Sequence, residues 1–175
     1  EENIIFTIPG GQQYILPPEV PIPEGDWSNS AFWLTAGAIS REGEGVTVHG
    51  LNPSSAQGDK EIAGILARFG ARVYHSGNHY HVSRERLSGI TIDAANIPDL
   101  VPILAVLATF GTAPSRITGA HRLAIKESDR LASTADLLNR LGGKVTATAD
   151  GLEIEPVEQL HGGTVDSCGD HRIAM

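Results

Sequence analysis

Five consecutive residues, Lys126-Glu127-Ser128-Asp129-Arg130, carry two cations and two carboxylates. Lys126 and Arg130 stand four apart and Glu127 and Arg130 three apart, spacings that let these side chains share one side of a helix beginning. The free N–H groups and positive dipole end of such a beginning favour anions. Two cations there can clamp a phosphate or a carboxylate, and the adjacent Glu127 can supply a proton. The competing reading is plainer: a mixed-charge helix start that only faces water. Asp99, which follows Pro98, reads as a routine helix cap, and so does Asp170, with His171 and Arg172 exposed after it. The histidines form no metal motif. Gly10-Gly11 is a turn rather than a phosphate loop, because no Gly-x-x-x-x-Gly-Lys-Ser/Thr follows it. Side-chain chemistry alone therefore points to an anionic substrate and no further.

The elements that would hold these residues are written as a repeat. Arg68-Phe69-Gly70-Ala71-Arg72-Val73 and Arg140-Leu141-Gly142-Gly143-Lys144-Val145 match at an offset of 72 positions. Ile62, Ile65, Leu66 and Phe69 fall at helical spacing, as do Leu131, Ala135, Leu138 and Leu141, and each helix stops at a glycine. Strands are expected over 72–75 and 79–83 around Gly77-Asn78, and over 144–148 and 152–155 around Asp150-Gly151. Earlier in each copy, Asp26 and Asp99 open helical stretches that lead to strands at 46–49 and 115–118. Closing strands are expected at 90–93 and 164–166. Asp170 opens a third such start.

The organisation expected is thus a strand (4–8) and extended proline-rich connection over 1–25, units over 26–97 and 98–169, and the start of a third unit over 170–175. From Ile103 to Phe110 only Thr109 is polar, the mark of a helix buried on all sides. Helices packed inside and sheets outside would explain that pattern. At the same offset Lys126, Glu127, Asp129 and Arg130 face Ser54, Ser55, Gln57 and Gly58. Structural duties should recur in both copies, so these charges exceed what the repeat requires.

Bulk properties set outer limits. The 175 residues, 41% hydrophobic and 19% charged, suit one soluble domain or one and a fraction. A net charge of −8 argues against a nucleic-acid surface. No apolar run is long enough for a membrane span. Glu1-Glu2-Asn3-Ile4-Ile5 has neither the basic nor the apolar region of a signal peptide, and a chain opening on Glu suits an internal fragment. Cys168 is the single cysteine, so no intrachain disulfide is expected and a reducing, cytoplasmic setting is.

Several strings together resemble the EPSP synthase (3-phosphoshikimate 1-carboxyvinyltransferase) family. They are Gly25-Asp26-Trp27-Ser28-Asn29-Ser30-Ala31-Phe32, Gln57-Gly58-Asp59, Ile97-Pro98-Asp99, Ile125-Lys126-Glu127-Ser128-Asp129-Arg130-Leu131 and Gly169-Asp170-His171-Arg172-Ile173-Ala174-Met175. The resemblance implies an α/β fold, the inside-out α/β barrel (EPT/RTPC-like) of repeated βαβαββ units, here two complete and a third truncated. It implies transfer of the enolpyruvyl group of phosphoenolpyruvate to the 5-hydroxyl of shikimate 3-phosphate, with release of phosphate and no cofactor or metal. Matched position by position, Asp99 is the base and Glu127 the proton donor. Lys126 matches a shikimate 3-phosphate ligand, and Arg130 and Arg172 match phosphoenolpyruvate ligands. The chain departs from the pattern at Ala124, where many members carry Arg, and Arg122 is the candidate replacement. His171 lies beside the site without an assigned role.

The family's site lies between two domains, and the N-terminal one is the partner this chain lacks, so these residues alone are expected to be inactive. Two other readings compete. One is the sister transferase acting on UDP-N-acetylglucosamine, which uses a reactive cysteine that Cys168 is poorly placed to supply. The other is a module that binds anions without turnover.

Overall fold

The computed structural model describes residues 4–20 and 22–175. Glu1, Glu2, Asn3 and Pro21, used above for the N-terminus and the proline-rich connection, lie outside the described residues.

Local chemistry sets most boundaries. Helix α1 (Trp27–Ile39) begins where the Asp26 carboxylate accepts hydrogen bonds from the Ser28 and Asn29 backbone N–H groups. Helix α2 (Ile62–Phe69) ends at Gly70, whose φ of 103° is a left-handed stop that glycine adopts without strain. Between them lies strand β1 (Gly45–His49), and after them come β2 (Arg72–Ser76) and β3 (His79–Ser83). Strand β4 (Thr91–Asp93) leads to helix α3 (Val101–Thr109) and strand β5 (Ser115–Thr118). Helix α4 (Arg130–Arg140) is capped by Asp129, which accepts from the Ala132 N–H. Strands β6 (Lys144–Ala147) and β7 (Leu152–Glu155) precede the short helix α5 (His171–Ala174).

The strands form two sheets. The first has the order β1-β3-β2 and is antiparallel throughout. The second has the order β4-β5-β7-β6, with β4 parallel to β5 and the other pairs antiparallel. Helix α1 packs on β1 and β3, α3 packs on β5 and β7, and the two helices pack on each other. They therefore make an interior layer, with one face of each sheet left to solvent. The composition of α3 matches this place: Val101 through Ala105 and Leu107 through Thr109 are all buried. Close approach is built in at Gly37, where a Cβ would stand 2.4 Å from the Val82 carbonyl oxygen of β3. Trp27 anchors the layer, meeting Tyr80 edge-on with ring centroids 4.8 Å apart.

Four expectations need correction. Residues 4–8 form no strand: they are exposed and pair with nothing among the described residues, and a strand exists only where a ladder partner does. Residues 164–166 likewise run irregularly along the surface. Asp99 caps no helix. It sits inside a 3-10 turn, Pro98–Leu100, that runs into α3 without any side-chain cap. Lys126 and Glu127 do not lie on a helix beginning, because α4 starts only at Arg130.

Candidate active site

The site is assembled from three chain segments that meet at the N-terminal ends of α3, α4 and α5. The first is the 3-10 turn holding Asp99. Because its carboxylate serves no cap, it is free to turn outward to side chains. The second begins with a 3-10 helix, His121–Ile125, after which Lys126 takes an extended conformation (φ −83°, ψ −159°). That extension breaks the helical path and carries Lys126 and Glu127 past the start of α4 instead of onto it. The third is the turn before α5, where Asp170 accepts from the Arg172 N–H at 2.9 Å.

Arg130 is the hub. Its side chain is only 2% exposed and every branch of the guanidinium is used. Nε donates to Asp170 Oδ2 at 2.7 Å and one terminal nitrogen to Asp170 Oδ1 at 3.2 Å, a two-point grip. The other terminal nitrogen donates to Asp99 Oδ1 at 2.7 Å, and the first also reaches Glu127 Oε2 at 2.7 Å. Burial works to lower the Arg130 pKa, yet the Asp170 hydrogen bond and the charges of Asp170, Glu127 and Asp99 outweigh it and hold the pKa above its ordinary value. Asp170 shows the mirror balance. Burial pushes its carboxyl up, but hydrogen bonds from Arg130, the Arg172 backbone and Ser128 win and hold it below the usual carboxylate range.

Two further cations approach Asp99. Lys126 Nζ lies 3.8 Å from Oδ1 and Arg172 lies 3.9 Å from Oδ2. Arg172 is largely buried and donates to Asn29 Oδ1 at 3.2 Å, while its Nε has no partner. A buried donor left unpaired costs free energy, so this edge of the guanidinium has capacity for another acceptor. Lys126, Arg130 and Arg172 thus face Asp99, Glu127 and Asp170, and the cluster carries no surplus positive charge. The exposed members are Glu127 (54%), Lys126 (37%) and Asp99 (32%), whereas Asp170 is wholly buried. An anion can therefore take a two-point contact on Arg130 only by displacing Glu127 or Asp99.

Of the six residues singled out in the sequence, Asp99, Lys126, Glu127, Arg130 and Arg172 come together. Arg122 does not: it is exposed and donates to the Ala95 carbonyl at 2.6 Å. His171 is exposed, its Nδ1 3.9 Å from Asp170. Cys168 is exposed in the turn before α5, with a φ of 54°. Some contributors went unseen in the sequence. Asp170 was legible as a cap but not as the anchor of Arg130. Asn29, from the first turn of α1, steadies Arg172 across 143 residues of chain, and no local pattern signals such a contact. Asp59 is buried beside α1 and accepts from the Ser28 hydroxyl. Burial pushes its carboxyl up, the Ser28 bond opposes this, and the charge of Asp99 adds to the rise.

The cluster opens to solvent. Cavities form on the second sheet, lined by Arg116, Lys144 and Glu153, and beside α5, lined by Phe32, Ile103, Leu137 and Met175; Asp99, Lys126 and Glu127 line neither.

Residues 1–175 match the family described as EPSP synthase (3-phosphoshikimate 1-carboxyvinyltransferase). A 3-phosphoshikimate 1-carboxyvinyltransferase of Clostridium acetobutylicum is 46% identical over 152 residues, covering 87% of this chain and 34% of the relative. One from Methanospirillum hungatei is 40% identical over 178 residues, covering 100% of this chain and 40% of the relative. The solved EPSP synthase of Acinetobacter baumannii superposes with a TM-score of 0.75 at 29% identity, covering 86% of this chain and 38% of that one. The chain thus spans between a third and two fifths of the length of these relatives.

Proposed function

The chain belongs to the EPSP synthase family, and on that premise we propose that its Arg130-centred cluster is one part of a site that transfers the enolpyruvyl group of phosphoenolpyruvate to the 5-hydroxyl of shikimate 3-phosphate, releasing phosphate. The observation that carries the reading is the release of Asp99 from capping duty and its convergence with Glu127, Lys126, Arg130 and Arg172.

The chemistry runs by addition then elimination and needs one base and one acid. The hydroxyl loses a proton while the methylene carbon gains one, and the methyl group so formed gives a proton back as phosphate leaves. Asp99, partly exposed and ringed by cations, is the base for the hydroxyl. Glu127, the most exposed carboxylate of the cluster, is the proton donor. Lys126 takes shikimate 3-phosphate as a mobile point charge. Arg130 and Arg172 take phosphoenolpyruvate, for which their planar forks suit carboxylate and phosphate. Arg172 has the unpaired Nε for this, and Arg130 exchanges Glu127 or Asp99 for the incoming anion. Arg122 would reach a substrate only after leaving the Ala95 carbonyl.

The same reading makes the fold part of an inside-out α/β barrel, with units over 26–97 and 98–169 and a third beginning at 170. Two features support it: the shared strand order β1-β3-β2 and β5-β7-β6, and the inward place of α1 and α3. A cytoplasmic setting belongs to this reading, resting on the single cysteine.

Balanced charge within the cluster leaves nothing over for two anionic substrates. The remaining cations then come from segments that the full-length relatives carry, chiefly an N-terminal domain. The test is phosphate release from the two substrates, first by this chain alone and then by the chain completed with those segments. Release is expected only from the completed protein. Turnover by these 175 residues alone would overturn the shared-site reading.

A further inference from the structure

The first sheet carries a second cluster of possible ligands, outside the Arg130 cluster. His49 of β1 and His79 of β3 are direct partners in the antiparallel register. Their rings meet edge-on with centroids 4.5 Å apart, and the two Nδ1 atoms point at each other, 2.5 Å apart. Both side chains are exposed. Two neutral imidazoles so placed can share one proton at most. The pair also resembles a pincer, since both nitrogens are aimed at one point by strands whose backbones are fixed.

We propose that His49 and His79 form a two-histidine site for a borderline divalent cation of the Cu2+, Ni2+ or Zn2+ class. Imidazole nitrogen suits these ions, and each metal–nitrogen bond is about 2.0–2.1 Å long. Tetrahedral geometry then sets the two nitrogens about 3.3 Å apart, so the rings need open by less than about 1 Å, within reach of a small side-chain rotation. Placement on paired strands, rather than on a loop, holds both ligands near that geometry before the ion arrives. His81 shares the exposed face two residues along β3, but its Nδ1 is engaged with Thr47 Oγ1 at 2.9 Å. Among the described residues no group of three or more His, Cys, Asp or Glu side chains gathers around one point. The ion therefore keeps water in its remaining positions, which makes the site open and exchangeable. His75 provides an internal contrast. It pairs with Tyr80 on the opposite face of the sheet and stacks on that ring at 5.1 Å.

The test is calorimetric titration of the untagged chain with CuCl2, NiCl2, ZnCl2 and MgCl2 in a non-coordinating buffer. One transition-metal ion per chain is expected, tightest for Cu2+ by the usual order of divalent affinities, with no Mg2+ binding. His49→Gln and His79→Gln should each weaken Ni2+ binding at least about tenfold, because loss of one nitrogen removes the intramolecular second bond. His75→Gln should leave it unchanged. Circular dichroism of each variant checks that the sheet persists. In a parallel measurement on the wild-type chain, substoichiometric Cu2+ should broaden the ring resonances of His49 and His79 before those of His75 or His161. Unchanged affinity in either pair variant, equal loss in His75→Gln, or broadening that starts elsewhere would each overturn the site.

Discussion

Helices α1 and α3, the two that pack together between the sheets, use the polar groups at their starts in opposite ways. At α1, Asp26 is consumed as a cap, accepting from the Ser28 and Asn29 N–H groups at 2.8 and 3.2 Å. Among the described residues the facing loop makes no ion pair, and Asn52, Ser55 and Gln57 donate instead to the Glu24 carboxylate. Gln57 accepts from the Trp27 N–H at 2.9 Å, and even the Lys60 ammonium is turned onto the Ser55 carbonyl at 2.6 Å. At α3 no cap forms, and the facing loop supplies Lys126, Glu127 and Arg130 to the liberated Asp99. The difference teaches where to look for chemistry in such a molecule. A carboxylate that recurs at a helix start but no longer caps it has been released for another use.

The largest consequence concerns Arg130. Replacing it with Met strands the buried Asp170 without its cation, a change that commonly costs about 3–5 kcal/mol. Lys60→Met, in the opposite half, removes one hydrogen bond to a backbone carbonyl and should cost only about 0.5–1.5 kcal/mol. Urea denaturation of both variants measures the contrast. Equal losses would mean that the start of α3 is no more dependent on its cation than the start of α1.

A double dissociation should separate the two aspartates. Asp26→Ala removes a cap and should lower stability by about 0.5–2 kcal/mol. Asp99→Asn keeps an acceptor for Arg130 and caps nothing, so its stability should stay within about 0.5 kcal/mol of the parent. In the completed enzyme, however, Asp99→Asn or Asp99→Ala should lower turnover at least about a hundredfold, and Glu127→Ala similarly. Near-normal turnover in either would remove that residue from the proposed acid–base pair. A large stability loss in Asp99→Asn would return Asp99 to a structural role.

Periodicity made much of this arrangement legible. The spacing of Ile62, Ile65, Leu66 and Phe69, the all-apolar face of α3 and the turns at Gly77 and Gly151 each placed an element close to where it lies. Those signals are local, and the elements they mark are held by local bonds. Residues 4–8 and 164–166 form no strands because strand-favouring residue types cannot report whether a neighbouring strand exists. The site divided the same way. Charge at Lys126 to Arg130 is visible in the sequence as an excess over Ser54 to Gly58, but the spacing alone does not place it, because Lys126 and Glu127 lie before the start of α4. What brings the residues together is the extended backbone at Lys126 and the bonds of Arg130 to Asp99 and Asp170, which span 31 and 40 residues of chain. The bond of Asn29 to Arg172 spans more still and left no trace in the sequence.

The smallest effect, and the one that links the two halves, lies in their opposed buried carboxyls. Asp170 has a folded pKa below its unfolded value of about 3.9, so the stability it contributes is present above that value and is lost as pH falls through the folded pKa. Asp59 has its pKa raised by burial and by the charge of Asp99, so the folded state holds its proton more tightly than the unfolded state. Its contribution is therefore greatest below the unfolded value and fades as pH rises through the folded one. The two windows adjoin near about pH 4 rather than overlap. Asp59→Asn keeps the acceptor for Ser28 while removing the titration, so it should be at least as stable as the parent near pH 7. As pH falls from 7 toward about 4 that advantage should shrink and vanish. Below about pH 4, where Asp59 is protonated in both states, parent and variant should fall in parallel as the Asp170 contribution is lost. Urea midpoints taken across that range test this. Profiles that stay parallel between pH 7 and about 4 would mean that Asp59 titrates alike in both states, and that the crowding of carboxyls around Asp99 does not reach it.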